Sequence, residues 1–208
     1  MTRESLAEID VLDAIYARRA VRAYEAKPVP EAVIRELLEA AVHAPTAMHR
    51  EPWGFVVVQD RARLKRLSGR AKAMMVAAES ASLAVGWGSS GKRRKVAASR
   101  HLDMLRDPAF NIFYDAPALV VVCRREGGPF ADADCWLAAE NLMLAATAHG
   151  LGSCVIGFAV QVLNSPHAKR DLGIPEEGAA VAPVILGYPR GKAPAVPRQA
   201  PRILRWIK

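Results

Sequence analysis

DADCWLAAENLMLAATAHGLGSCVIGF, Asp132 to Phe158, is the stretch around which the rest of the chain is organised. Trp136, Ala139, Leu142, Met143 and Ala146 recur at three- and four-residue steps, the spacing of one face of an α-helix. Leu137, Leu144 and Ala145 put apolar side chains on the other faces. A helix apolar on every side is buried inside a fold or between two subunits. Gly150 follows Ala148-His149 and supplies the left-handed residue at which helices commonly stop. Ser153-Cys154-Val155-Ile156 then reads as a short strand, and Gly157 as a point of close approach by a backbone or a ligand. A core helix followed by a core strand accounts for this pattern. So does a helix and strand whose end, at Ile156 and Gly157, lies beside a flat cofactor.

On the upstream side, Asp107-Pro108 starts a turn, and Asn111 to Pro117 leads into a strand, Ala118 to Cys123, closed by the charged turn Arg124 to Gly128. On the downstream side, the sequence predicts a helix from Val160 to Lys169, a loop at Gly173-Ile174-Pro175 and a last strand from Val181 to Gly187. A Pro-dense extended arm, Tyr188 to Arg202, carries Arg190, Arg198 and Arg202. Farther out, the spacing predicts helices at Ile9–Ala17 and Glu31–Val42, separated by the breaker Pro28-Val29-Pro30. The first has an apolar face of Ile9, Leu12, Ala14, Ile15 and Tyr16. A polar turn, Thr46 to Trp53, precedes a buried strand, Gly54 to Val58; helices at Arg61–Leu67 and Ala71–Val85 follow. Helices in clusters and about four strands, without strict alternation, make the fold α+β. The over-apolar central helix and the extended tail both point to a dimer.

The chain has 208 residues, 51% hydrophobic and 24% charged, which fits one globular domain with a sizeable core. No apolar run reaches the length of a membrane span, and the N-terminus has acids where a signal peptide has its apolar centre. Cys123, Cys135 and Cys154 form no C-x-x-C pair, so a zinc site is not expected and a reduced, cytoplasmic compartment is. The net charge of +8 suggests an anionic ligand, nucleic acid or a solvated surface. Its one dense cluster, Lys92-Arg93-Arg94-Lys95, lacks the interleaved aromatics of a nucleic-acid site.

Arg18, Arg19 and Arg22 stand just past a helix end, where they can converge on an anion or simply serve the negative end of the helix dipole. Gly86 to Lys92 satisfies both G-x-G-x-x-G and G-x-x-x-x-G-K. Neither pattern has the preceding strand it needs, and Arg93 stands where a P-loop has the hydroxyl that holds Mg²⁺. A lid or linker reading fits that loop better than a nucleotide site.

The order of four segments resembles the nitroreductase family of flavin-dependent oxidoreductases. ARRAVRAY (17–24) resembles the family's R-R-S-x-R-x-F/Y, and APTAMHREPWGFVVV (44–58) its A-P-S-A-x-N-x-Q-P-W-x-F. AAENLMLAATAHGLGSCVIGF (138–158) resembles its long helix and glycine turn, and VILGYPRGKAPAVPR (184–198) its last strand and arginine-bearing tail. The resemblance implies a nitroreductase-like fold with a mainly antiparallel sheet, a helical lid insertion around 60–113, and an intertwined homodimer with FMN at the subunit interface. It implies NAD(P)H as hydride donor in a ping-pong cycle and an electron-poor acceptor such as a nitroaromatic, quinone or activated alkene. No side chain acts as nucleophile or acid–base catalyst in this scheme; the flavin N5 carries the chemistry.

By that resemblance Arg18, Arg19, Ala20 and Arg22 contact the flavin, Arg18 and Arg198 at its phosphate and Arg22 at its N1/O2 edge. Pro45, Thr46, Ala47 and His49 reach it from the other subunit, Ile156 and Gly157 line the N5 edge, and Asn111 matches a ring-contacting residue. The chain departs from the motifs at Ala20, His49 and Glu51, which replace Ser, Asn and Gln. A carboxylate at Glu51 opposes the negative charge of a flavin unless a base such as Arg50 pairs with it.

Overall fold

Four strands, three of them rich in Val or Ala, form one antiparallel sheet in the order β1-β2-β4-β3. They are β1 (Trp53–Val58), β2 (Ala118–Arg124), β3 (Gly152–Val155) and β4 (Ala179–Gly187). The computed structural model describes residues 9–84 and 102–208. The Gly86–Lys92 loop and the Lys92–Lys95 cluster lie outside the described residues.

Alternation along the strands divides the core into two layers. Ala118, Val120, Val122, Val184 and Leu186 face α2 (Glu31–Val42) and α5 (Ala131–Ala148). Leu119, Val121, Cys123 and Ile185 face the other way, toward α3 (Arg61–Ala84), α6 (Val160–Leu163), α7 (Pro166–Leu172) and the loop through Ile112 and Phe113. A short helical stretch, α4, is described at 102–106. Leu64, Leu67 and Ala71 at one end of the 60–113 segment, and Ile112 and Phe113 at the other, are built into this second layer.

Helix α5 stops as its sequence predicts. Gly150 takes φ +69°, and the Leu151 N–H donates back to the Ala146 carbonyl at 2.8 Å, satisfying an orphan acceptor of the last turn. Within one chain its buried face is Cys135, Ala138, Ala139, Leu142 and Ala146, whereas Trp136 and Leu137 are 46% and 45% exposed. The helix α1 (Val11–Ala17) packs on α5 through Ala14 and leaves Val11, Leu12, Ile15 and Tyr16 exposed. Its expected apolar face is therefore mostly uncovered, as is Ile203-Leu204 and Trp206-Ile207 at the end of the tail.

Continuity or burial differs from the sequence reading at α3, at 160–169 and at β1. Helix α3 runs unbroken through Ser68-Gly69-Arg70, because Leu64, Leu67 and Ala71 stay on one buried face and the buried Ser68 hydroxyl accepts from the Ile112 N–H at 3.1 Å. The helix expected over 160–169 is two, since Ser165 caps a new helix with Pro166 in its first turn. Strand β1 is an edge with half-exposed residues and is not fully buried.

Candidate functional site

Past α1 the chain leaves the helix in extended form and lies along the free edge of β3. Ala20 bridges Ser153 in parallel, the Val21 N–H donates to the Ser153 carbonyl at 3.0 Å, and Tyr24 bridges Pro189. Glycine makes this approach possible. A Cβ at Gly152 would stand 2.7 Å from the Val21 Cβ, and one at Gly187 2.8 Å from the Tyr24 ring. Of the two approaches expected at Gly157, by a backbone or by a ligand, the approach by a backbone occurs at Gly152. Gly157 is exposed, and a Cβ there would meet nothing within 4 Å.

The three arginines of this segment end up in three environments. Arg18 pairs with Glu140 of α5, Nε to Oε1 3.5 Å. Arg19 turns back and donates to the Tyr16 and Arg18 carbonyls at the end of α1, the helix-terminus role. Arg22 is exposed, lies 5.9 Å from the Tyr114 ring centroid, and has no carboxylate partner among the described residues. Both Arg22 and Arg18 act on the Cys154 thiol, which burial pushes up while the two guanidinium groups pull it back. Burial also pushes Cys123 and Cys135 up to about 12. All three thiols are free, buried and protonated at neutral pH, and no cluster of metal-binding side chains occurs among the described residues.

The Pro45–Pro52 turn is built differently. Met48, His49 and Glu51 adopt φ of 56°, 52° and 44°, left-handed conformations that cost a non-glycine residue about 1–2 kcal/mol each. A carboxylate from another element holds the turn. Asp134, 5% exposed in the first turn of α5, accepts from the Thr46 hydroxyl at 2.9 Å and from the Ala47 N–H at 3.1 Å. Thr46 in turn accepts from the Glu51 N–H at 3.0 Å, and Arg125 donates to the Glu51 carbonyl at 3.0 Å. The Glu51 carboxylate forms no ion pair among the described residues, with Arg50 or otherwise. A small apolar cavity beside the turn is lined by Ala47, Met48, Pro129 and Phe130.

These two regions do not meet within one chain. The turn precedes β1 and rests on the α2/α5 layer; Arg22 stands beyond β3, over Tyr114 of the opposite layer. Three strand spacings, about 14 Å, separate the two sheet edges. The structure thus brings Arg18, Arg22, Ala20, Ile156 and Gly157 to one edge, and Pro45, Thr46, Ala47 and His49 to the other. Asn111 serves its own loop, donating to Asp115 at 2.7 Å and accepting from the Phe113 N–H at 3.0 Å. Arg198 is exposed in the extended tail. The sequence reading missed Asp134, Glu140 and Tyr114, the side chains that orient or flank the expected contacts.

The nitroreductase family matches residues 15–188. An NADH dehydrogenase of Thermus thermophilus is 30% identical over 193 residues, covering 89% of each chain. A 5,6-dimethylbenzimidazole synthase of Rhodospirillum rubrum is 29% identical over 204 residues, covering 89% of this chain and 85% of its own. Among solved structures, a nitroreductase with bound FMN from Bacteroides fragilis is similar at a TM-score of 0.75 and 30% identity, covering 96% of this chain and 98% of that one.

Proposed function

The chain belongs to the nitroreductase family, and from that premise we propose that it is an FMN-dependent oxidoreductase working as a homodimer. It takes hydride from NAD(P)H and passes it, in a ping-pong cycle, to an electron-poor acceptor such as a nitroaromatic, quinone or activated alkene. Bound FMN supplies the two-electron hydride chemistry. The residues present fit such a group. Arg22 offers an exposed guanidinium without a carboxylate partner among the described residues, at the same sheet edge as the open backbone of Gly157. That pairing of an exposed cation with an uncovered backbone is the observation that carries the reading.

Arg22 places a fixed positive charge where an electron-rich ring edge needs one. Arg18, oriented by Glu140, and Arg198 bind phosphate. Arg19 is committed to the end of α1 and adds only its field. Ala20 contributes backbone, having no hydroxyl to offer. Pro45, Thr46, Ala47 and His49 of the second subunit complete the site, which suits their distance from Arg22 in one chain. The exposed faces of α1 and α5, with the apolar end of the tail, form the surface this second subunit covers. The three free buried thiols suit a cytoplasmic protein. Among the described residues no helix is long and apolar enough to cross a membrane.

The test is direct. Purified protein should be yellow, hold stoichiometric FMN, and oxidise NADH or NADPH with parallel double-reciprocal lines when a nitroaromatic is the acceptor. A colourless protein that takes up no added FMN would overturn the proposal.

A further inference from the structure

We propose that Asp134 is a positioning residue that acts across the subunit interface: it sets the Pro45–His49 turn that one subunit presents to the flavin held by the other subunit's arginines. The inference rests on the two-subunit flavin site proposed above.

Asp134 is the only buried carboxylate among the described residues. It sits in the first turn of an eighteen-residue helix, where the dipole favours its negative charge. One of its oxygens, Oδ2, accepts from two donors of the turn, the Thr46 hydroxyl and the Ala47 N–H. The other side-chain hydrogen bonds of the turn, Glu51 N–H to Thr46 and Arg125 to the Glu51 carbonyl, fix its far end and leave Ala47 to His49 to Asp134. Met48 is 86% exposed, His49 is exposed, and Met48, His49 and Glu51 are left-handed. Unrestrained, such a backbone relaxes toward ordinary φ values, and the relaxation would move Ala47 and His49 first. The core would change much less. Cys135, Ala138, Ala139 and Leu142, which anchor α5, make none of these hydrogen bonds. Removing the carboxylate should therefore disorder a contact surface without unfolding the subunit that carries it.

Location gives the inference its sharpest consequence. Arg22 and Asp134 belong to opposite edges and opposite layers of one chain, so each flavin site uses the Arg22 of one subunit and the Asp134 of the other. Two homodimeric variants, Arg22→Ala and Asp134→Ala, should each bind FMN at least about tenfold more weakly than wild type, a loss of one charge-assisted contact or more. Mixed in one heterodimer, the two substitutions fall in the same site and leave the second site intact.

Co-expression with two affinity tags isolates that heterodimer, and FMN content with the rate of NADPH oxidation is the readout. The heterodimer should recover about half of the wild-type value for both. Thr46→Ala in place of Asp134→Ala should give the same recovery from the turn's side, and Asp134→Asn, which keeps an acceptor oxygen, a smaller defect. An Asp134→Ala homodimer that binds FMN as wild type, or defective variants that show no recovery in the heterodimer, would overturn the inference, since Asp134 would then be dispensable or would act within its own subunit. A wild-type protein that binds no FMN would overturn the flavin reading itself, and this inference with it.

Discussion

The arginine segment, residues 18–25, and the turn, residues 45–52, are both polar, both lie outside the α-helices and strands, and are held by opposite means. The first is set by backbone pairing on β3 and the tail, in ordinary extended geometry, with Gly152 and Gly187 allowing the approach. The second is set by side chains, the buried Asp134 first among them, against a strained backbone. Position secured by backbone tolerates substitution of the side chains it displays; position secured by a carboxylate does not tolerate loss of that carboxylate. Helix α5 joins the two, since Glu140 holds Arg18 and Asp134 holds Thr46.

Breaking α5 should therefore break both regions at once. Leu142→Asp places a charge where the side chain is 0% exposed, a cost above about 4 kcal/mol, and should abolish soluble flavoprotein in an expression and absorbance assay. Alkaline pH should loosen the same scaffold gradually. Cys135 on α5 and Cys123 on the sheet beneath it are raised from 9.0 to about 12. Between those values the folded chain holds protons that the unfolded chain has lost, so stability is complete below pH 9 and falls as pH rises toward 12. Urea midpoints measured across that range should decline, and less so in a Cys123→Ala variant.

Gly152→Ala should break the first region alone. The new methyl would sit 2.7 Å from Val21, forcing the arginine segment off β3 at a cost of about 1–3 kcal/mol. FMN titration should show weakened binding, while denaturation should still be cooperative. Arg22→Ala leaves the segment in place and removes its charge. It should weaken FMN binding by about 1.5–3 kcal/mol and slow hydride acceptance, read by titration and stopped flow. The smallest effect sharpens the second region. Met48→Gly relieves a left-handed residue on an exposed turn and should raise thermal stability by about 0.5–1 kcal/mol. A decrease would mean that the turn is not strained.

The contrast also marks what the sequence could disclose. Prolines and glycines made boundaries legible: Pro30 and Ala44-Pro45 bracket α2, and Gly150 ends α5, both as read. Continuous apolar runs in β2 and β4 announced strands, and the helix clusters with about four strands pointed to the α+β class. Gly69 misled because helix propensity costs only about 1 kcal/mol there, less than the burial of Leu64 and Leu67 on one continuous face. Ser165-Pro166 was a readable cap signal that the apolar periodicity obscured. Spacing left the arginines open between an anion and the helix dipole and read 46–53 only as a polar turn; the family resemblance gave both regions a flavin to face. Asp134 stayed hidden for a different reason. An acid in a helix's first turn looks like a dipole partner, and its contact with Thr46 spans 88 residues. Glu140 was hidden in the same way, because only the packing of α1 on α5 brings Arg18 to it.

The central claim is that a complete flavin site needs two copies of this chain, one bringing Arg22 and the other the Pro45–His49 turn. Sedimentation equilibrium of the flavin-loaded protein, with absorbance followed at both protein and flavin wavelengths, tests it most directly. A dimer should carry both signals at every accessible concentration, with no flavin absorbance on a species of monomer mass. A sedimenting monomer that keeps stoichiometric FMN would contradict the claim.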